Sequence, residues 1–344
     1  MQKSGRSCLV TGGAGFIGAH VVRELLRLPE LEDATIVVLD DLSGGFVENL
    51  PDSPRLEFVK GSVTDSQVVD SLFEKHHFTY VWHLAAYAAE GLSHFIRRFN
   101  YENNLIGSIN LINAAVRHQT KRFVFTSSIA VYGSGQVPMS ESLTPSPEDP
   151  YGISKYAVEL DLRSAHELFG LEFTIFRPHN VYGEFQNIGD RYRNVIGIFM
   201  NRLMQGQPLP VFGNGEQQRA FSYIGDIAPL IASAPFVDGS ANETFNVGAD
   251  QAMSINELVE AVSAAFGIKA QVEYLPPRIE VDKAWADHSK AARVFKTHHE
   301  TPVGEGIRRM ADWAREVGPR SSVEFSNIEL PQNLPPSWVT ATKK

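Results

Sequence analysis

Tyr151 and Lys155 stand four residues apart, a spacing that puts both side chains on one face of a helix. A free phenol has a pKa near 10, so a tyrosine that acts as a base at pH 7 must release its proton roughly 3 pH units more readily, about 4 kcal/mol. A nearby ammonium favours the phenolate, as does any second positive group. The pair could therefore move a proton on and off a hydroxyl while another group moves a hydride. The spacing alone is common in chains of this size, and position gives it weight. Ser127 and Ser128 close the apolar run KRFVFTSS (121–128). Tyr151 opens the helical pattern YGISKYAVELDLRSAHELFG (151–170), with Pro150 before it and Gly170 closing it.

A second constellation precedes these. In TGGAGFIG (11–18) the glycines follow a GxxGxxG spacing, after the strand-like SCLVT (7–11) and at the start of the helical FIGAHVVRELLRL. Gly12 permits a tight turn, Gly15 lets a pyrophosphate approach the backbone, and Gly18 allows close helix–strand packing. The helix N-terminus offers N–H groups to the anion. Asp40 ends the apolar run TIVVLD (35–40), where a carboxylate would accept hydrogen bonds from adenosine ribose hydroxyls. Residues 41–54 hold no Lys or Arg, so a 2′-phosphate would meet a carboxylate without a counter-charge. This favours NAD over NADP.

Elements with a defined order must bring these residues together. Further strand patterns are LEFVKG (56–61), TYVWHLAA (79–86) and LEFTIFRP (171–178), with helical patterns at 66–76 and 99–118. Apolar strands alternating with helices imply parallel βαβ units and a doubly wound sheet. Ligands of such sheets lie at the carboxyl ends of the strands, the edge where Ser128, Tyr151 and the glycine loop should meet. The rhythm weakens near residue 180. The expected organisation is an α/β dinucleotide-binding domain over 1–179 with return segments near 224–250, a smaller α/β substrate lobe over 180–317, and an irregular arm or disordered tail over 318–344.

The bulk properties exclude several classes. The 344 residues are 43% hydrophobic and 21% charged, ordinary for a globular protein. A net charge of −9 with no basic cluster argues against nucleic-acid binding. Cys8, the single cysteine, can form no internal disulfide. The polar start MQKSGRS and the lack of an 18-residue apolar run predict neither a signal peptide nor a membrane span, hence a cytoplasmic protein. The histidines show no ligand spacing with acidic partners, so no metal site is expected.

The motifs TGGAGFIG (11–18), HLAA (83–86), NN (103–104), SSIAVYG (127–133), PYGISKY (150–156), RPHNVYG (177–183) and QQRAFSYIGDI (217–227), with the segment around Arg278, occur in an order that resembles the extended short-chain dehydrogenase/reductases of the nucleotide-sugar epimerase and dehydratase group. The resemblance covers roughly residues 7 to 315. It implies a Rossmann fold with bound NAD, catalytic Ser128, Tyr151 and Lys155, and Asn104 as a cofactor-side amide. Implied cofactor contacts also include Phe16, Ile17, Ser43, Gly44, Leu84, Ala85 and Ala86. Family members often carry Asp after the glycine that ends the third strand. Here Ser62 and Val63 follow, which leaves adenine recognition to backbone groups.

All members of the group begin by oxidising a sugar hydroxyl, usually at C4. The 4,6-dehydratases resemble one another in an Asp-Glu pair after the catalytic Thr, decarboxylases carry a Glu at the second of these positions, and 3,5-epimerases often have a Cys about there. Here the two positions are Ile129 and Ala130, which transfer no proton. The expected reaction is 4-epimerisation of a nucleotide-diphosphate sugar of UDP type that carries a hexose or a uronic acid. A dehydratase or decarboxylase, or a non-catalytic NAD-binding sensor, is the alternative. On the substrate side the resemblance implies Asn180, Asn194 and Val195 near the nucleotide sugar, with Arg219 and Arg278 clamping the diphosphate. Phe212 could pack against the base, and Glu90 could meet sugar hydroxyls. Arg191 and Arg193 could greet a uronic carboxylate, and the small Ala284 could leave room for an N-acetyl group. Helices 99–118 and 151–170 resemble those of the family's dimer interface, so a homodimer is expected.

Overall fold

The computed structural model describes residues 6–135, 137–277, 283–297, 300–322, 325–335 and 338. The first half of the chain runs β1 (Ser7–Thr11), α1 (Phe16–Arg27), β2 (Thr35–Asp40), β3 (Leu56–Lys60), α2 (Ser66–His76), β4 (Tyr80–His83), α3 (Glu90–Ser93), α4 (Arg97–Tyr101), α5 (Gly107–Arg117), β5 (Arg122–Thr126), α6 (Pro150–Phe169) and β6 (Phe173–Pro178). Then follow β7 (Val181–Tyr182), α7 (Val195–Met204), β8 (Leu209–Phe212), β9 (Gln218–Ala220), β10 (Ser222–Tyr223), α8 (Ile224–Ser233) and β11 (Glu243–Val247). The last elements are β12 (Ala252–Ser254), α9 (Ile255–Phe266), β13 (Val272–Leu275), β14 (Lys283–Ala284), α10 (Ser289–Phe295) and α11 (Val303–Val317).

Seven parallel strands form the main sheet in the order β3-β2-β1-β4-β5-β6-β11. The chain thus re-enters this sheet through β11 after leaving it at β6. Alternation along the strands fills both faces. Leu9, Val37, Phe123 and Ile175 pack under α2, α5 and α6, whereas Cys8, Val10, Val38 and Trp82 pack under α1 and α8. Strand order reverses between β1 and β4, and a crevice opens at their carboxyl ends. The later elements build a smaller layer in which β8 pairs with β13 and β9 with β12 and β14. Among the described residues no helix is long and apolar enough to cross a membrane.

Three expectations are adjusted. β4 ends at His83, so Leu84, Ala85 and Ala86 leave the sheet at its carboxyl edge. The stretch expected as one helix over 99–118 is α4 and α5 joined by a π-helical turn, Glu102–Ile106, and this turn carries Asn104. Beyond Val317 the described residues form no α-helix or strand but are packed, with Phe325, Ile328, Leu334 and Trp338 against Tyr87, Phe95, Phe99 and Tyr192.

Two devices hold α6 in place. At its N-terminus Pro150 takes the first turn and the Asp149 carboxylate accepts the Gly152 N–H at 2.9 Å, which fixes the entry angle of Tyr151. Farther along, the fully buried Glu159 accepts from Ser127 Oγ at 2.6 Å, Arg177 Nε at 2.9 Å and Arg177 Nη2 at 2.5 Å. Arg177 on β6 also donates to Tyr132 Oη at 2.6 Å, and Tyr132 donates to Asn246 on β11 at 2.9 Å. Removing one member of a buried pair strands the other charge. Arg177→Met should therefore cost about 3–5 kcal/mol, and adding Glu159→Leu should recover most of the loss. Urea unfolding checks this, and a single variant that unfolds at the wild-type midpoint would contradict it.

Candidate active site

The crevice is a cleft of 1490 Å³. One end is the glycine loop. An added Cβ at Gly12 would stand 2.7 Å from the Ala85 nitrogen, and one at Gly18 would stand 2.1 Å from the Gly12 oxygen, so neither position admits a side chain. No side chain caps the N-terminus of α1, which leaves its first-turn N–H groups facing the cleft beside Gly15, Phe16 and Ile17. Asp40 accepts the Ala14 N–H at 3.0 Å and the Leu42 N–H at 2.8 Å, and burial raises its pKa against these bonds. Beneath this loop His83 is fully buried between Thr11 Oγ1 at 2.7 Å and Ser108 Oγ at 2.8 Å. Burial pushes its pKa down to about 3, with Lys155 acting in the same direction, so the ring is neutral at physiological pH.

Ser128, Tyr151 and Lys155 line the same cleft. Ser128 Oγ accepts the Ala130 N–H at 3.1 Å and hydrogen-bonds the Tyr151 phenol. Lys155 Nζ donates to the Thr126 carbonyl at 2.8 Å and lies 5.8 Å from the Tyr151 ring centroid. Burial raises the Tyr151 pKa, and the bond from Ser128 offsets only part of this. Burial pushes Lys155 down to about 7, against the opposite pull of Glu159. Burial thus keeps the phenol protonated and brings the amine close to neutrality. A positive charge arriving at the cleft would favour the phenolate.

Most expected site residues share this cleft. Asp40, Ser43, Gly44, Ser62, Val63, Leu84, Ala85 and Ala86 line it, as do Asn180, Asn194, Phe212, Arg219 and Ala284, and Glu90 lines it within electrostatic reach of Tyr151. Three do not line it: Arg191, Asn104 and Val195. Asn104 is buried and clamps the Tyr87 backbone, accepting its N–H at 2.7 Å and donating to its carbonyl at 3.1 Å. Val195 opens α7 and packs against the core. Arg278 lies outside the described residues. Among the described residues no group of three or more His, Cys, Asp and Glu is placed to hold a metal.

Other wall residues escaped the motif reading. Arg193, considered only for a uronic carboxylate, is tied to Asp190 at 2.6 Å, lies 4.9 Å over the Tyr87 ring and approaches Gly44. It therefore bridges Gly44 and Tyr87. Leu330, Gln332, Asn333, Pro335 and Trp338 from the C-terminal arm complete the wall. Their one signal in the sequence was a large aromatic in an otherwise polar segment.

Comparison with known proteins agrees with this geometry. The profile of the NAD-dependent epimerase/dehydratase family matches residues 8–248. The chain belongs to this family. It is 31% identical to UDP-glucuronate 4-epimerase of Thermodesulfobacterium geofontis, over 95% of this chain and 98% of that protein. It is also 31% identical to dTDP-glucose 4,6-dehydratase of Streptomyces antibioticus, over 90% and 92%. The crystal structure of Thermotoga maritima UDP-glucose 4-epimerase with UDP-glucose superposes with a TM-score of 0.84 at 32% identity, over 90% of this chain and 99% of that one. Family membership thus spans epimerases and dehydratases.

The depressed Lys155 pKa has a consequence for stability. Unfolded, the amine keeps its proton to its ordinary 10.5, and folded only to about 7. Between these values the unfolded chain binds the extra proton, so stability rises with pH across the window. Urea midpoints of the cofactor-free chain should increase from pH 7 to pH 9 more steeply than those of Lys155→Met. Parallel pH profiles would contradict the assignment.

Proposed function

We propose that the chain is an NAD-dependent epimerase that inverts C4 of a nucleotide-diphosphate sugar, of UDP-hexose or UDP-uronic acid type, through a transient 4-ketone. One observation carries the choice within the family. Ile129 and Ala130 follow Ser128 on the cleft wall, and neither can give or take a proton. Elimination of water needs an added acid and base there, whereas oxidation and re-reduction at one carbon need only Ser128, Tyr151 and Lys155.

The cleft suits NAD: the uncapped α1 terminus and the side-chain-free Gly12 and Gly18 would hold its pyrophosphate, and Asp40 its adenosine ribose. Bound NAD supplies the hydride acceptor for the oxidation and the donor for the return step, together with a positive charge beside Tyr151. Tyr151 takes the proton from the sugar 4-hydroxyl as the C4–H bond breaks. Ser128 hydrogen-bonds the oxygen that becomes the carbonyl, and Lys155 favours the phenolate when it carries its proton. Once the ketone has presented its other face, Tyr151 returns the proton to the same oxygen. Arg219, with Arg278, would hold the diphosphate, and Asn180, Asn194 and Phe212 would line the nucleotide side. Exposed Ile106, Ile153 and Leu160, on and beside α5 and α6, suit the expected homodimer.

Incubation with UDP-glucose, UDP-galactose, UDP-glucuronate and UDP-N-acetylglucosamine, followed by proton NMR of the anomeric signals, should show interconversion of one 4-epimeric pair without net NADH. Accumulation of a 4-keto-6-deoxy sugar, or no conversion of any of them, would overturn the reading. On the substrate that reacts, Tyr151→Phe should lower kcat about 10³-fold while nucleotide-sugar binding persists, the scale expected for losing a positioned acid/base.

A further inference from the structure

The C-terminal arm is bound to three parts of the cleft rim. After α11 the chain turns at Gly318, and Arg320 exchanges two hydrogen bonds with Asn201, at 2.8 and 2.9 Å. The Arg320 guanidinium covers the Phe46 ring at 4.0 Å, next to the glycine-loop side of the cleft. Phe325 then packs between Tyr87 and Phe99, with ring centroids 5.4 and 5.0 Å away, and its N–H donates to Tyr192 Oη at 3.2 Å. The Glu329 carboxylate accepts the Arg98 and Phe99 N–H groups, both at 2.8 Å, and the Glu329 N–H donates to the Phe95 carbonyl at 2.8 Å. Finally Trp338, only 8% exposed, lies edge-on to Tyr192 at 5.3 Å and Phe95 at 6.2 Å.

The position of this last contact matters most. The Trp338 ring lies 3.4 Å from where a Cβ on Gly91 would stand, in the short helix α3 that begins at Glu90. That helix is joined to the catalytic helix, because Ser93 donates to Asp149, the residue that caps α6 just before Tyr151. Leu330 and Trp338 line the cleft, and Trp338 does so beside α3, whose Glu90 acts electrostatically on Tyr151. An apolar wall there limits the room around the sugar and excludes water from it.

We propose that Leu330 and Trp338, held in place by the contacts of Arg320, Phe325 and Glu329, form the outer wall of the sugar chamber, with Trp338 as a specificity-determining residue that limits sugar size and retains the ketone until it is reduced. The inference rests on the proposed epimerase reading. If the wall opens, the ketosugar can leave after oxidation, its C4 hydride left on the cofactor as NADH and its 4-hydroxyl proton left on the enzyme.

The test compares the full chain with Trp338→Ala and with a chain ending at Ser322. Calorimetry with UDP alone and with UDP-glucose isolates the sugar's share of binding without requiring turnover. Both variants should bind UDP as the full chain does and UDP-glucose about tenfold more weakly, the loss of one well-packed contact. With a substrate that the full chain turns over, the variants should raise KM more than they lower kcat. The truncated chain should also accumulate NADH absorbance at 340 nm and release ketosugar that borodeuteride traps in the filtrate. Folded variants that bind UDP-glucose as tightly as the full chain and release no ketosugar would overturn the wall. A full chain that binds UDP-glucose but converts no nucleotide sugar would overturn the epimerase reading, while weaker sugar binding in the variants would still support the wall.

Discussion

Glu159 lies one turn beyond Lys155 on the catalytic helix, has no exposed surface and is held from two sides. Ser127, the neighbour of Ser128 at the end of β5, donates to it, and so does Arg177 from β6. The carboxylate thereby sets the register of α6 against the two strands whose ends carry the site. A charge this deep persists only with full pairing, and each of its oxygens has a partner. Tyr132 and Asn246 extend the network to β11, so the strand that returns from the later part of the chain is tied to the same anchor. Ser128, Tyr151 and Lys155 inherit their relative placement from it.

Above this anchor Tyr151, Lys155 and His83 are buried, and burial is the largest influence on all three. In each it favours the neutral form. Such burial makes any added positive charge count heavily, because little water screens it. A phenol that stays protonated in the resting cleft and ionises when a cation sits beside it suits a reaction that borrows one proton and gives it back. Ile129 and Ala130 extend the same logic: with an inert wall beside Ser128, the proposed reaction assigns the acid/base role to Tyr151.

Much of this was legible in the sequence, for local reasons. Strands buried on both faces read as unbroken apolar runs, and TIVVLD and SCLVT therefore marked β2 and β1 closely. The Gly-rich turn, Pro150 and Gly170 carry their own conformational constraints. Nonlocal features were hidden. The π-helical turn at Glu102–Ile106 does not interrupt the helical pattern, yet it helps set Asn104 behind Tyr87 rather than on the cleft wall. Arg193 gains its place from Asp190 and Tyr87, partners that no spacing rule links. The arm shows no periodicity, and its described residues form no α-helix or strand; single side chains such as Phe325, Glu329 and Trp338 hold it, each against a distant segment.

In the proposed reaction, chemistry is confined to one carbon and one returning proton. Running the reaction to equilibrium in D₂O and examining the recovered nucleotide sugars by NMR and mass spectrometry tests this most directly. Both 4-epimers should be recovered with no deuterium on any carbon, because the C4 hydride never meets solvent and no neighbouring carbon is deprotonated. Deuterium at C3, C5 or C6 would contradict this reading, since that requires an acid/base step for which the wall beside Ser128 has no group.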